Sequence, residues 1–145
     1  ALIVVPILSI AGHNWSVFLK FAGGRGVAVA TGALLAVAYL ELIVFLTVAI
    51  GGWAIFRSSG LWVYIALLIL PISSFIFGEP LAITWLCLGI LALITTKRLT
   101  SNWTPLPKDI PKRTVFLNRL LKDRDVSSRE EWLNREPRAE GGSLD

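Results

Sequence analysis

Residues 40–98, "LELIVFLTVAIGGWAIFRSSGLWVYIALLILPISSFIFGEPLAITWLCLGILALITTKR", decide the fold. Three apolar runs, Leu40 to Phe56, Leu61 to Phe77 and Leu81 to Thr96, are separated only by "RSSG" and "GEP". About 20 apolar residues cross a bilayer as a helix, so each run is near or just under spanning length. In lipid every backbone polar group must be satisfied internally, and tight helical hairpins do this. Two further apolar stretches precede them, residues 1–10 and roughly Gly26 to Ala38, the second short for a full crossing. The prediction is an all-α, polytopic transmembrane bundle of about five helices with a basic tail.

Charge divides the chain the same way. Residues 1–96 carry five formal charges, Lys20, Arg25, Glu41, Arg57 and Glu79, while the remaining charges lie in the last 49 residues. This gives a transmembrane domain over 1–98 and a polar tail over 99–145. Threading the helices alternately up and down puts Lys20, Arg25, Arg57, Lys97 and Arg98 on one side and Glu41 and Glu79 on the other. The excess of Lys and Arg marks the first side, with the tail, as cytoplasmic. The chain opens directly on "ALIVVPILSIAGH", without a charged leader or a small-residue cleavage site, and reads as entered part-way through a transmembrane helix. The single Cys87 has no partner for a disulfide or a metal set and reads as packing.

In the tail, "PKRTVFLNRLLKDRD" groups Val115, Phe116 and Leu120 with Arg113, Arg119, Lys122 and Arg124. This suits a short amphipathic helix, either on an anionic membrane surface or simply solvated. Ser128 and Glu131 have capping-box spacing and predict another helix start, and "PRAEGGSLD" reads as disordered. Acidic residues interleave with the basic ones, so nucleic acid is not expected as a partner.

The chemistry concentrates in "GHNWSVFLKFAGGRGVAVATG", residues 12–32. Glycines at 23, 24 and 26 let the backbone turn its N–H groups toward one point. Gly26 then starts a helix, whose N-terminal amides and dipole favour an anion. Lys20 and Arg25 flank that point, and a guanidinium grips phosphate oxygens in pairs. The residue types compose a phosphate site at a membrane face, although glycines between helices also serve close packing. The spacing is not that of a nucleotide-binding P-loop, and neither a cofactor nor a metal is expected.

This stretch resembles the glycine-rich second motif of the bacterial membrane acyltransferases that make lysophosphatidic acid from glycerol 3-phosphate and acyl phosphate. That motif runs Gly-His, four variable residues, Phe, two variable residues, then Phe-Lys-Gly-Gly-Lys-Gly and a small-residue helix. Gly12, His13, Phe18, Phe21, Gly23, Gly24, Gly26, Val27 and Ala28 fall in register. The resemblance covers about residues 1–100 and implies a seven-helix fold of which this chain holds the last five. It implies Lys20, Gly23, Gly24, Arg25, Gly26, Arg98 and Asn102 as phosphate-binding residues, with His13 and Arg25 as catalytic candidates.

The chain departs from the pattern at Ala22, where the family has lysine, and at Arg25, where lysine is replaced by arginine. The family's final Arg-His-Arg-x-Asn-Ile reads "TKRLTSNW" here, so Arg98 stands near the histidine position and Asn102 one residue from the asparagine. The family's serine at the start of its sixth helix corresponds to Ser58 or Ser59. The implied partners are glycerol 3-phosphate, acyl phosphate and the bilayer. His13 is either a base or orienter or a loop-ordering residue. A non-catalytic or altered-substrate relative is the alternative, followed by a small anion transporter, which would place more ionisable groups inside its spans. Cysteines introduced at positions 25 and 57 of the complete protein should label from the same side of the membrane. Labelling from opposite sides would overturn the threading.

Overall fold

The computed structural model describes residues 2–101 and 111–124. Asn102, the helix start expected at Ser128 and the tail end expected to be disordered lie outside the described residues. Six α-helices follow in order: α1 (Val4–Asn14), α2 (Val27–Val37), α3 (Tyr39–Phe56), α4 (Ser59–Ile76), α5 (Leu81–Thr100) and α6 (Lys112–Lys122), with a 3₁₀ turn at Val17–Leu19 after α1. Among the described residues there is no strand. Helices α3, α4 and α5 are long and apolar enough to cross a membrane. The protein is thus a helical bundle of membrane type.

The hairpins are tighter than the breakers suggested. Helix α3 ends as Arg57 takes a left-handed conformation, φ 58°, its N–H donating to the Trp53 carbonyl at 2.8 Å. Helix α4 already starts at Ser59, so "RSSG" contributes only Arg57 and Ser58 to the turn. At the other end, Gly78 adopts a positive φ of 67° in the turn to α5. Antiparallel α3, α4 and α5 follow from these short connections. Ile10, Leu34, Phe45, Leu67, Leu86 and Ile90 make a continuous core from α1 to α5. The outward faces are apolar as well, with Ile43, Ile55, Phe75 and Trp85 exposed, as a lipid environment requires.

Between helices that gain nothing from excluding lipid, hydroxyl pairs add direction. Ser74 and Thr84 share a 2.6 Å hydrogen bond between α4 and α5, and Tyr64 OH lies 3.3 Å from Thr95 Oγ1. Helix α2 has 11 residues, which at about 1.5 Å rise per residue reaches roughly half-way across a hydrocarbon core.

The charges divide between the two ends of the bundle as the threading required, but not all face water. Glu41 is fully buried in the first turn of α3, and Lys97 and Arg98, placed by the sequence at an aqueous face, are buried in the last turn of α5. Helix α6 forms where the amphipathic pattern lies, and one of its faces is covered by the bundle, while Phe116, Leu117 and Leu121 stay exposed on the other. It docks on α4 and α5, with Val115 completely buried and Arg119 Nη1 donating to the Leu99 carbonyl at 3.1 Å. A carboxylate at position 115 would meet a site with no exposed surface, so Val115→Asp should release α6. Amide exchange over 112–122 should then speed up by about ten-fold or more while α3–α5 keep their protection. Unchanged exchange over 112–122 would mean that Val115 does not hold the helix.

Candidate functional site

The glycine loop closes on the end of α1. Helix α1 runs out at His13 and Asn14, the chain loops through the 3₁₀ turn, and it returns so that Gly24 N–H donates to the His13 carbonyl at 3.2 Å. The fit leaves no room for side chains. A Cβ on Gly23 would overlap the His13 and Asn14 carbonyls, and one on Gly24 would overlap the His13 ring. Gly26 caps α2 at φ 75°, a conformation side chains rarely adopt, with its α-carbon against the Asn14 amide.

The glycines therefore serve close approach as much as open amides. The Gly24 N–H, expected to point at an anion, is spent on His13. The donors that remain are the orphan amides at the first turn of α2, where no side-chain cap intervenes. Asn14 sits beneath them, wholly buried, and neither its Nδ2 nor its Oδ1 has a partner.

Three cations gather at this end of the bundle, Lys97 and Arg98 from the last turn of α5 and Arg25 from the loop itself. Lys97 Nζ donates to the Asn14 carbonyl and lies 5.4 Å from the Trp15 ring centroid, fixing the end of α1 to α5. Arg98 Nη1 donates to the Gly60 carbonyl at 2.9 Å and the Leu120 carbonyl at 2.7 Å, and its guanidinium lies 5.2 Å from the Tyr64 ring. It thus ties α4, α5 and α6 together. Arg25, half-exposed, pairs with Asp123 Oδ1 at 2.6 Å, and Arg98 Nε lies 4.0 Å from the same oxygen. Arg25 is within electrostatic reach of both Lys97 and Arg98. Burial pushes the Asp123 carboxyl above the usual carboxylate range, and Arg25 and Arg98 pull it back only in part. Its charged form therefore rests on the two arginines.

Asp123 also walls a polar pocket of about 400 Å³ with Arg57, Ser58, Ser59 and Arg124. Both serines that the family resemblance brought forward border it. The structure brings His13, Gly23, Gly24 and Gly26 together, and Arg25 with Arg98. Lys20 stands apart: it ends the 3₁₀ turn at φ 49°, is exposed, and makes no ion pair among the described residues.

Sequence reasoning missed Lys97 as more than a topology marker, and it missed Asn14 and Asp123 altogether. The "KR" at the end of an apolar run could have flagged Lys97. Nothing local distinguishes Asp123 from the other charges of the tail, because its role comes from the docking of α6.

Comparisons with known proteins bear on the same residues. The glycerol-3-phosphate acyltransferase family pattern matches residues 1–106. Glycerol-3-phosphate acyltransferase 5 of Dehalococcoides mccartyi is 35% identical over 139 residues, covering 92% of this chain and 59% of that protein. Glycerol-3-phosphate acyltransferase 4 from another strain of that species is 34% identical over the same length, covering 60% of its own. The enzyme of the same name from Halalkalibacterium halodurans is 35% identical over 100 residues, 66% of this chain and 48% of that one. The chain thus spans about three-fifths of the length of the curated relatives it matches. No solved structure matches it.

The Lys97 contact can be tested by itself. Lys97→Met keeps the stem and loses the charge, leaving the buried Asn14 carbonyl without its donor. It should cost about 1.5–3 kcal/mol of stability, seen as a lower thermal midpoint in detergent. A midpoint equal to the wild type's would show that Lys97 does not pin α1.

Proposed function

The chain belongs to the glycerol-3-phosphate acyltransferase family, and from that premise we propose that the basic end of its bundle is a phosphate site for acyl transfer from acyl phosphate to glycerol 3-phosphate, giving lysophosphatidic acid. The observation that carries this reading is the convergence of Arg25, Lys97 and Arg98 on a glycine loop beside the uncapped start of α2. A cluster of cations with one facing carboxylate attracts an anion, and helix amides give that anion direction.

Acyl transfer from an acyl phosphate asks little covalent chemistry of the protein. The glycerol hydroxyl attacks the acyl carbonyl carbon, a C–O ester bond forms, the bond to the phosphate oxygen breaks, and phosphate leaves with the electron pair. Holding the two reactants in line supplies on the order of 7–11 kcal/mol of the barrier. Arg25 and the amides at the start of α2 would hold phosphate charge, and Lys97 would keep the loop in place from below. His13, exposed at the end of α1 with its ring against Gly24, is placed to take the hydroxyl proton or to pass it to the departing phosphate. Arg98, with Nη1 engaged by two carbonyls, would act on the anion through Nε, which has no hydrogen-bond partner. Gly23, Gly24 and Gly26 serve by keeping His13 and Asn14 close to the loop; Lys20 would act only from the rim.

The apolar outer faces and the long helices support the reading that the acyl chain lies in the bilayer. We place this basic end on the cytoplasmic face of a bacterial inner membrane, following the excess of Lys and Arg.

In the full-length enzyme, Arg25→Ala should lose a charge-assisted contact of about 1.5–3 kcal/mol, or roughly 10- to 150-fold in kcat/KM for glycerol 3-phosphate. Arg25→Lys should retain much of the activity. The assay is transfer from a long-chain acyl phosphate, with acyl-CoA as the comparison donor. A folded wild type that transfers from neither donor would replace this reading with that of an altered-substrate relative.

A further inference from the structure

The tail brings a carboxylate to the place where the proposed function needs a phosphate. Among the described residues the acidic side chains are Glu41, Glu79 and Asp123, and the first two lie at the opposite end of the bundle. Asp123 therefore stands alone against Arg25 at 2.6 Å and Arg98 at 4.0 Å. We propose that Asp123 is a specificity-determining residue, an anion built into the chain that occupies the phosphate position between Arg25 and Arg98 and yields it to a dianionic phosphate monoester but not to a monoanion. This rests on the reading of the glycine loop and its cations as a phosphate site.

The placement of Asp123 is imposed by the fold. Helix α6 is held by buried Val115, by Arg119 on the Leu99 carbonyl and by Arg98 on the Leu120 carbonyl. Its last turn lies so close to α4 that a Cβ on Gly60 would touch the Lys122 carbonyl at 2.9 Å. Asp123 then ends the helix at φ 57°, a conformation that Asp and Asn tolerate better than other side chains. This left-handed end directs the residue back at the cations.

The carboxylate is held, yet it is easy to give up. Its side chain is 28% exposed and borders the polar pocket, so a rotation moves it away from Arg25 without moving α6. Burial already disfavours its charged form. An incoming monoanion exchanges one negative charge for another and must sit beside the carboxylate it expels, which gains little. A dianion gains twice the attraction of the same arginines for the same fixed cost of turning the carboxylate away, so it clears a threshold that leaves a monoanion with little net gain. The site would thus be biased toward the terminal phosphate of glycerol 3-phosphate and against phosphodiester headgroups of the surrounding lipid.

The test uses the full-length protein and Asp123→Asn, because Asn suits the left-handed backbone and removes only the charge. The KM for glycerol 3-phosphate should fall about five-fold, the equivalent of ~1 kcal/mol for a part-exposed pair, with the change in KM rather than in kcat. At about pH 8, where a phosphate monoester is chiefly dianionic, inorganic phosphate should inhibit the wild type far better than dimethyl phosphate. Removing the carboxylate lowers the threshold for both anions, so dimethyl phosphate, close to inert on the wild type, should inhibit Asp123→Asn measurably and stay close to inert on Asp123→Glu. A raised KM, with dimethyl phosphate as weak on Asp123→Asn as on the wild type, would show that Asp123 merely orients Arg25, and it would end the proposal. Equal inhibition of the wild type by the two anions would end it without any variant. If the wild type transfers no acyl group, the acyltransferase reading fails, and thermal stabilisation by inorganic phosphate still decides about Asp123: greater stabilisation of Asp123→Asn supports it, and equal or lesser stabilisation refutes it.

Discussion

Lys97 and Arg98 lie inside the protein at the end of α5, and the architecture of that end follows from satisfying them. A cation removed from water needs acceptors close by, and a membrane-spanning helix has already used its own. The acceptors come from elsewhere. The end of α1 offers the Asn14 carbonyl to Lys97, while the start of α4 and the end of α6 offer the Gly60 and Leu120 carbonyls to Arg98. Each bond fixes one more element around α5. Two adjacent residues thereby hold four helices in register, and the tail becomes part of the bundle.

The glycine loop is the complement of this arrangement. With α1 pinned by Lys97, the loop after it must pass within contact distance of His13 and Asn14, which glycine alone permits at 23 and 24. The left-handed Gly26 then turns the chain into α2 and leaves the amides of its first turn open beside Arg25. Asn14 remains beneath them with its amide unpaired. A buried polar group without partners is costly, and such costs concentrate at functional sites, where a ligand or a change of loop conformation supplies the missing contact.

Mutual tuning extends to Asp123. Its carboxylate neutralises Arg25 in part and meets Arg98 from outside, so the cations do not simply repel one another at close range. Under the proposed reading the same carboxylate limits which anions profit from entering, so that the cations and amides would supply attraction and the tail would set the charge a ligand must bring.

The sequence by itself determined the membrane bundle, because three successive apolar runs of near-spanning length, Leu40 to Phe56, Leu61 to Phe77 and Leu81 to Thr96, are joined only by short breakers, and those at Arg57 and Gly78 fix where hairpins turn. It also located the loop, since a glycine triplet with Arg25 at a helix start has a local physical meaning. The motif at residues 12–28 pointed to the family on the same residues. Only the tertiary structure decided that Gly24 serves His13 rather than an open anion nest, that Lys97 and Arg98 are buried, and that α6 docks on the bundle. These outcomes depend on which carbonyls from distant helices reach a buried cation. Asn14 meets Lys97 across 83 residues and Arg98 meets Gly60 across 38, separations at which periodicity and local propensity carry no information. The amphipathic pattern of 111–125 predicted a helix with an apolar face but not what covers that face, because the partner surface exists only once α4 and α5 have packed.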